Sequence, residues 1–351
     1  MSRSSRWTVA RTRPIPLLAL IASGAVSAAS ENCRAIVVDV DRLACYDIVV
    51  DVDRLACYDK EMRPNAPPAQ GSSTAADAIG AAPGHSALEA AWGAPGEATE
   101  RFTMRPYKPV YLLALNYSSG ANARPASPTQ PTSIEDGLKR VEVKYQLSFK
   151  TRIASGLFGD NGDVWAAYTQ SSHWQLYSPA ISRPFRETNY EPEGIFVWKL
   201  RTGLFGASLR HVGIGINHQS NGRSDPLSRS WNRVIAQAGV ERDEWTATLR
   251  LWRRIEERDS SDDNPDIVDY MGRGELLLTR QAGEHQFAAT LRPVTGPDRQ
   301  GHGALQLDWS FPISGRLKGH VQYFVGHGAS LIDYNHFART VGVGISLVAW
   351  R

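Results

Sequence analysis

Three residues whose side chains could together cleave an ester lie between positions 218 and 232. They are His218, Ser220 and Asn232. A serine hydroxyl becomes a strong nucleophile when a neighbouring imidazole accepts its proton, and the imidazole must be held in one tautomer by an acceptor on its other nitrogen. Ser220 is therefore the candidate nucleophile, His218 the candidate base, and Asn232 the candidate residue that orients the base.

The residues just before His218 predict a β-strand with one apolar face. In a strand, side chains two residues apart point to the same side. The apolar face runs through Val212, Ile214 and Ile216. With the same period of two, His218 and Ser220 lie on this face as well.

The strand after the turn predicts where Asn232 lies. Asn232 is in phase with Val234 and Ala236, so it belongs to the same outer face. A hairpin with its tip at 225–226 pairs positions whose numbers sum to about 450, and this places Asn232 opposite His218. Cross-strand neighbours are close enough for their side chains to form a hydrogen bond.

The loop between the two strands is rich in the oxygen ligands that calcium prefers. Its carbonyl, hydroxyl and carboxylate groups come from Arg223, Ser224, Asp225 and Ser228. A second acidic turn, at 260–266, adds the carboxylates of Asp262 and Asp263. A cation beside Ser220 would stabilise the oxyanion formed during ester cleavage.

Each of these features has a simpler interpretation when it is taken alone. A His-x-Ser sequence on a strand is more often a polar strand end before a turn, and an acidic stretch is more often a solvated turn. The strand phase, the predicted pairing and the oxygen-rich loop together favour a catalytic site.

The elements that must position this site are short strands of alternating apolar and polar residues after about residue 101. Four runs show the alternation best, at 141–150, 305–311, 320–325 and 340–350. The pattern fits either a soluble sandwich or a transmembrane barrel with its apolar face outward. An apparent export signal, aromatic-rich strands and a last strand that reaches the C-terminus favour the membrane form. We therefore predict an all-β fold, a transmembrane antiparallel β-barrel of about twelve strands.

The first hundred residues differ in composition from the barrel domain, which we place at 101–351. Residues 1–29 are predicted to be a signal peptide. The extension at 30–100 contains the segment IVVDVDRLACYD twice, at 36–47 and 48–59, and then a flexible Ala/Pro/Gly-rich tether. Within the tether, 86–92 could form a short helix with Leu88 and Trp92 on one face.

Composition and charge exclude some classes of protein and limit the possible disulfides. The formal charge of +3 is too small to indicate nucleic-acid binding. Beyond the signal, no apolar run is long enough for a membrane-spanning helix. The cysteines, Cys33, Cys45 and Cys57, allow one disulfide in an exported chain, but their spacing does not choose the pair.

Several separated stretches closely resemble the outer membrane phospholipase A family. They are YTQSSHWQL (168–176), SRPFRETNYEP (182–192), NHQSNGRSDPLSRSWNR (217–233), DDNPDIVDYMG (262–272), SLIDYN (330–335) and RTVGVGISL (339–347). The resemblance extends from about residue 102 to the end. It implies a twelve-stranded barrel in the bacterial outer membrane that is active as a homodimer. The implied reaction is calcium-dependent hydrolysis of sn-1 and sn-2 acyl esters of phospholipids and lysophospholipids.

The resemblance also implies site residues, starting with the same Ser220, His218 and Asn232. It implies Ca²⁺ ligands at a dimer interface and at a second, monomer-type site. The interface ligands are Arg223 through its carbonyl, Ser228, and the partner subunit's Ser182, whereas the monomer site uses Asp225 and Asp263. Gln170 matches an interface glutamine, and Arg183 stands where the family has a serine. The alternative is a non-catalytic barrel, a porin or a structural protein, which would have no reason to keep the three catalytic residues in phase.

Overall fold

A computed structural model describes residues 86–94, 101–258, 260–295 and 302–350 of the 351-residue chain. The predicted signal peptide, the duplicated segment, the cysteines and most of the tether lie outside the described residues. Neither of the two α-helices in these ranges is long and apolar enough to cross a membrane.

The described residues form thirteen antiparallel strands and three short helical segments. The strands are β1 (Met104–Pro106), β2 (Val110–Ser118), β3 (Val141–Ala154), β4 (Asp163–Trp174), β5 (Phe185–Leu204), β6 (Ala207–Ser220), β7 (Ser230–Arg242), β8 (Trp245–Ile255), β9 (Gly274–Ala282), β10 (His285–Pro293), β11 (Gly303–Ser314), β12 (Leu317–His327) and β13 (Phe337–Val348). The helical segments are α1 (Ala87–Trp92), α2 (Ile267–Met271) and a 3-10 turn at Pro179–Ile181.

The strands close into a barrel. From β3 to β13, each strand pairs with the next along the chain, and β2 pairs with both β13 and β3. The short β1 pairs with β3 just beyond β2, so β1 and β2 occupy one position in the barrel. The barrel therefore has twelve strand positions, which confirms the predicted architecture.

The two faces of the strands have opposite character. On β6, the outward Ile214 and Ile216 are 54% and 65% exposed, whereas the inward His211 and Asn217 are buried. This arrangement is that of a barrel whose apolar wall faces lipid and whose polar side chains fill the interior. The prediction of the membrane form over the soluble sandwich is therefore confirmed.

The interior is held by ion pairs between side chains that are buried or, for Lys108, half-buried. They include Arg152–Asp163, Lys199–Asp163, Lys108–Glu191, Arg233–Glu191, Arg250–Glu193, Glu142–His173, Glu142–Arg186 and Arg186–Asp333. A buried charge that loses its partner destabilises a fold strongly, so these pairs fix how neighbouring strands and loops meet.

The two ends of the barrel differ in the length of their connections. At one end, two-residue turns join the strands at 205–206, 243–244, 283–284 and 315–316. At the other end, longer loops occupy 119–140, 221–229, 256–273 and 328–336. We call these the turn end and the loop end. Ser220, the last residue of β6, lies at the loop end.

Helix α1 lies inside the barrel near the turn end, as the predicted face of Leu88 and Trp92 would require. The Trp92 ring meets the inward-facing Trp165 edge-on at 5.8 Å, and the Lys150 ammonium lies 3.2 Å from the centre of the Trp92 ring. Glu89 also forms ion pairs with Arg201 at 2.6 Å and with Arg210 at 3.1 Å. The helix thus fills the lumen rather than continuing the tether.

The last strand is shorter than predicted. The alternating pattern predicted a strand to Trp350, but β13 ends at Val348. Trp350 instead donates a hydrogen bond from its indole nitrogen to the buried Asp308, at 3.3 Å.

Candidate active site

His218 and Asn232 are directly opposite each other across β6 and β7, as the hairpin register predicted. The His218 Nδ1 and Asn232 Oδ1 atoms are 2.9 Å apart. Because an amide oxygen only accepts, the hydrogen bond requires a proton on Nδ1. The other imidazole nitrogen, Nε2, is then the one that carries a lone pair and can act as a base.

Ser220 lies on the same outer face, two residues beyond His218. Two residues along a strand span about 7 Å, so the serine hydroxyl and the imidazole are neighbours on the wall. Ser220 is half-buried, and its cross-strand partners are Ser230 on β7 and Tyr190 on β5. The structure thus groups the three predicted catalytic residues in one patch at the loop end.

A groove of about 630 Å³, lined by apolar side chains together with the charged Arg253, Arg254 and Glu256, runs along the outer wall below this patch. Its floor includes the small side chain of Ala236, which lies between Ile214 on β6 and Leu251 on β8. Val234 and Ile255 extend the lining toward Asn232. The wall next to the candidate nucleophile therefore has the shape and polarity to receive a hydrocarbon chain.

The candidate calcium ligands Asp225, Asp263 and Ser228 converge at the loop end. One carboxylate oxygen of Asp225 and one of Asp263 each lie 3.0 Å from the same atom, Nε2 of Gln130. The Ser228 hydroxyl donates to the other oxygen of Asp263 at 2.6 Å. Carboxylates and a hydroxyl are hard oxygen donors of the kind that calcium prefers, so the residues expected at both calcium sites have suitable chemistry.

Arg223 lies in the same loop, but its side chain is directed to structural partners. Its guanidinium pairs with Glu135 at 2.7 Å and donates to the carbonyl oxygen of Arg186 at 3.0 Å. These contacts fix the loop backbone, to which the carbonyl proposed as a ligand belongs.

Ser182 belongs to a different loop from the other candidate ligands, which lie in the loops after β6 and β8. It is exposed in the loop between β4 and β5 and adopts a left-handed backbone conformation, with φ of 59°. Arg183 is exposed beside it. Gln170 lies half-exposed on β4, where its side-chain oxygen accepts a hydrogen bond from Tyr168 at 3.2 Å.

Sequence reasoning missed three residues that contact the site, namely Gln130, Glu135 and Glu257. The Asn232 amide nitrogen donates to Glu257 at 3.1 Å. Glu257 had a usable signal, because it continues the outward phase of Arg253 and Ile255 and is a carboxylate where lipid-facing residues are expected. Gln130 and Glu135 had none, since they belong to a long loop without periodicity.

A β-barrel with a serine, histidine and asparagine set on its lipid-facing wall defines a class of membrane-embedded hydrolases. A sequence model of the family described as Phospholipase A1 matches residues 89–347. The chain therefore belongs to the phospholipase A1 family, whose members among the solved structures are outer membrane phospholipases. It is a β-barrel of the bacterial outer membrane.

Individual relatives agree with this family. A Neisseria meningitidis protein is 42% identical over 248 residues, which cover 69% of this chain and 64%, or slightly less than two thirds, of that longer protein. The phospholipase A1 of Klebsiella pneumoniae is 38% identical over 246 residues, covering 70% of this chain and 82% of its own length.

A solved structure resembles the barrel itself. It is the outer membrane phospholipase dimer of Salmonella typhi with bound calcium, which is 34% identical and superimposes with a TM-score of 0.64. The similarity covers 72% of this chain and 95% of that one.

Proposed function

We propose that this protein hydrolyses the sn-1 and sn-2 acyl esters of phospholipids and lysophospholipids, with calcium as cofactor and a homodimer as the active form. The observation that carries the proposal is the 2.9 Å contact between His218 Nδ1 and Asn232 Oδ1 on the lipid-facing wall. An interior site would be closed to lipids, whereas this one meets them directly.

In the first half of the reaction, Nε2 of His218 accepts the Ser220 proton while Oγ attacks the ester carbonyl carbon. Asn232 holds the imidazole in the tautomer that leaves Nε2 free. The tetrahedral intermediate then breaks its bond to the glycerol oxygen, and the imidazolium returns the proton to that oxygen. The products of this step are a lysophospholipid and an acyl group on Ser220.

In the second half, water attacks the acyl group on Ser220 and His218 Nε2 accepts the proton of the water. Collapse of this intermediate releases a fatty acid and restores the serine hydroxyl when the imidazolium gives its proton back. The groove beside Ala236 would hold the acyl chain during both halves.

At the dimer interface, Ser228 and the carbonyl of Arg223 are the residues of this chain that would hold calcium, whereas Asp225 and Asp263 would hold it at a second, monomer-type site. When bound, calcium supplies positive charge that stabilises the oxyanion of an ester-cleavage intermediate. Calcium takes six to eight oxygen ligands, more than these residues provide. Water and the partner subunit's Ser182 would complete the shell at the dimer interface, and the relative from Salmonella typhi is a dimer with bound calcium.

Labelling of Ser220 by a long-chain sulfonyl fluoride tests the proposed nucleophile. Refolded protein in detergent should lose hydrolysis of a phospholipid substrate as one sulfonyl group is added at Ser220. Ser230→Ala is the matched control, because Ser230 is the cross-strand neighbour of Ser220 and should leave labelling intact. Sulfonylation elsewhere, with hydrolysis retained, would overturn the assignment.

Calcium and dimerisation are tested together by analytical ultracentrifugation of the sulfonylated protein. A ligand that contacts both subunits favours the associated state, so the dimer fraction should be higher with calcium than with chelator. An equal dimer fraction in both conditions, with hydrolysis that survives chelation, would exclude the shared-calcium mechanism. Arg183 would then be the first candidate for a substitute cation.

A further inference from the structure

The amide of Asn232 lies between two side chains. Its oxygen is 2.9 Å from Nδ1 of His218, and its nitrogen is 3.1 Å from a carboxylate oxygen of Glu257. The three residues come from β6, from β7 and from the loop after β8. A hydrogen-bonded chain therefore continues from the imidazole past the asparagine to a carboxylate.

This chain determines which end of the amide faces the histidine. The oxygen and nitrogen of an asparagine side chain have nearly the same shape, so the amide could turn over. If the nitrogen faced His218, it would donate to Nδ1 and place the imidazole proton on Nε2. That tautomer could not accept the proton of Ser220. An ionised carboxylate only accepts hydrogen bonds, so Glu257 favours the orientation in which the amide nitrogen faces Glu257.

The carboxylate also supplies charge that the asparagine lacks. An aspartate beside the histidine stabilises an imidazolium directly, whereas the neutral Asn232 does so only weakly. Hydrogen bonds in a chain polarise one another, so the negative charge of Glu257 strengthens the acceptor character of the Asn232 oxygen. The negative charge that stabilises the imidazolium is thus on Glu257, one residue further from His218 than an aspartate beside the histidine would be.

The chain segment that contains Glu257 is bridged by contacts between the residues before it and the residues after it. Arg254 forms an ion pair with Asp262 at 2.6 Å and donates to the carbonyl oxygens of Asn264 and Pro265. These contacts join the end of β8, which precedes Glu257, to the part of the loop that follows it. Burial raises the pKa of Glu257 above its usual value, and the nearby Arg254 opposes that rise.

We propose that Glu257 is a positioning residue of the esterase, which orients the Asn232 amide and supports the imidazolium through it. This inference rests on the proposed function, because it assumes that His218 acts as the base. Glu257 touches neither the ester nor Ser220 and acts only through Asn232.

The test is a double-mutant cycle between Glu257 and Asn232, measured by lipid hydrolysis and by the rate of Ser220 sulfonylation with a short reagent. Glu257→Ala should lower kcat by about 10-fold to 100-fold, the range expected for a lost hydrogen bond to a charged group, and leave KM unchanged. In an Asn232→Ala background the same change should have no further effect. Glu257→Gln retains an acceptor without charge and should restore part of the loss.

The control is Glu244→Ala, which removes an exposed carboxylate from the 243–244 turn at the opposite end of the barrel and should leave kcat unchanged. A kcat near wild type in Glu257→Ala would overturn the inference. Equal losses from Glu257→Ala with and without Asn232 would also overturn it, because Glu257 would then act on the loop and not on the amide. If Glu257→Ala does not fold, the Glu257→Gln cycle gives the same comparison. Failure of the proposed function is distinguishable, since the unmodified protein would then neither hydrolyse lipid nor label at Ser220.

Discussion

His218 and His173 each place Nδ1 beside a side-chain amide or carboxylate oxygen, and they lie on opposite sides of the wall. His218 contacts the neutral Asn232 and is exposed on the outer face. His173 contacts the carboxylate of Glu142 at 2.6 Å, and that carboxylate also pairs with Arg186. By side-chain chemistry alone, the interior pair looks more like a catalytic dyad than the outer one.

The difference shows that access, rather than the strength of the pair, determines which histidine can be catalytic. The interior cluster, defined as Glu142, His173, Arg186 and Asp333, is buried and meets no lipid. Burial raises the pKa of Asp333, but Arg186 more than offsets this effect and the pKa is lowered overall. The cluster therefore braces the loop at 328–336 against β3 and β5, whereas the outer pair is the one that the proposed function makes catalytic.

The largest expected effect is a loss of turnover that distinguishes His218 from His173. His218→Ala should reduce turnover by at least about 10³-fold, since it removes the base of a cooperating triad. His173→Ala should instead lower stability and leave turnover per folded molecule unchanged. Hydrolysis rates should be compared with the fraction that migrates as a folded barrel in unheated gels. A large loss of turnover in folded His173→Ala would contradict a purely structural role for His173.

The next effect concerns the stability of the interior cluster. Arg186→Met leaves the Glu142 and Asp333 carboxylates buried without their cation, which should cost about 3 to 5 kcal/mol of unfolding free energy. The measurement is the urea midpoint of unfolding in detergent. Arg201→Met, which removes an exposed partner of Glu89, serves as control and should change the midpoint little. A similar shift in both variants would argue against a bracing role.

A smaller effect is expected at the calcium loop, where Gln130 donates to both Asp225 and Asp263. Its amide group competes with a cation for the same oxygens, so Gln130→Ala should tighten calcium binding by about tenfold. Calorimetric titration in detergent measures the affinity without relying on hydrolysis. Weaker binding in this variant would mean that the glutamine oxygen is itself a calcium ligand.

The smallest effect is expected in the groove. Ala236→Trp should fill the space between Ile214 and Leu251 and lower turnover of long-chain esters by about threefold, with short-chain esters unaffected. Ala289→Trp, on the outer face of β10, is the control because it adds the same ring away from the groove. Equal sensitivity of short-chain and long-chain esters would show that the groove does not hold the acyl chain.

The strand pattern was enough to predict the barrel and the pairing of the candidate residues His218 and Asn232, because the period of two and the hairpin register are local properties. The pairing of His218 with Asn232 follows from the position of one turn. Gln130 could not be predicted, since it lies 95 positions before Asp225 and reaches it through a loop with no regular repeat. The alternation does not encode the end of β13 at Val348 or the inward hydrogen bond from Trp350 to Asp308 that lies just beyond it.

Helix α1 has an electrical consequence for the membrane. Its Trp92 ring and the ion pairs of Glu89 fill the lumen among inward-facing side chains, and more charged pairs lie further along the interior. Hydrated ions would have to break these contacts to pass. A bilayer containing this barrel should therefore stay insulating, so that the cell can store a lipid-degrading enzyme in its outer membrane without opening a conductive path through it.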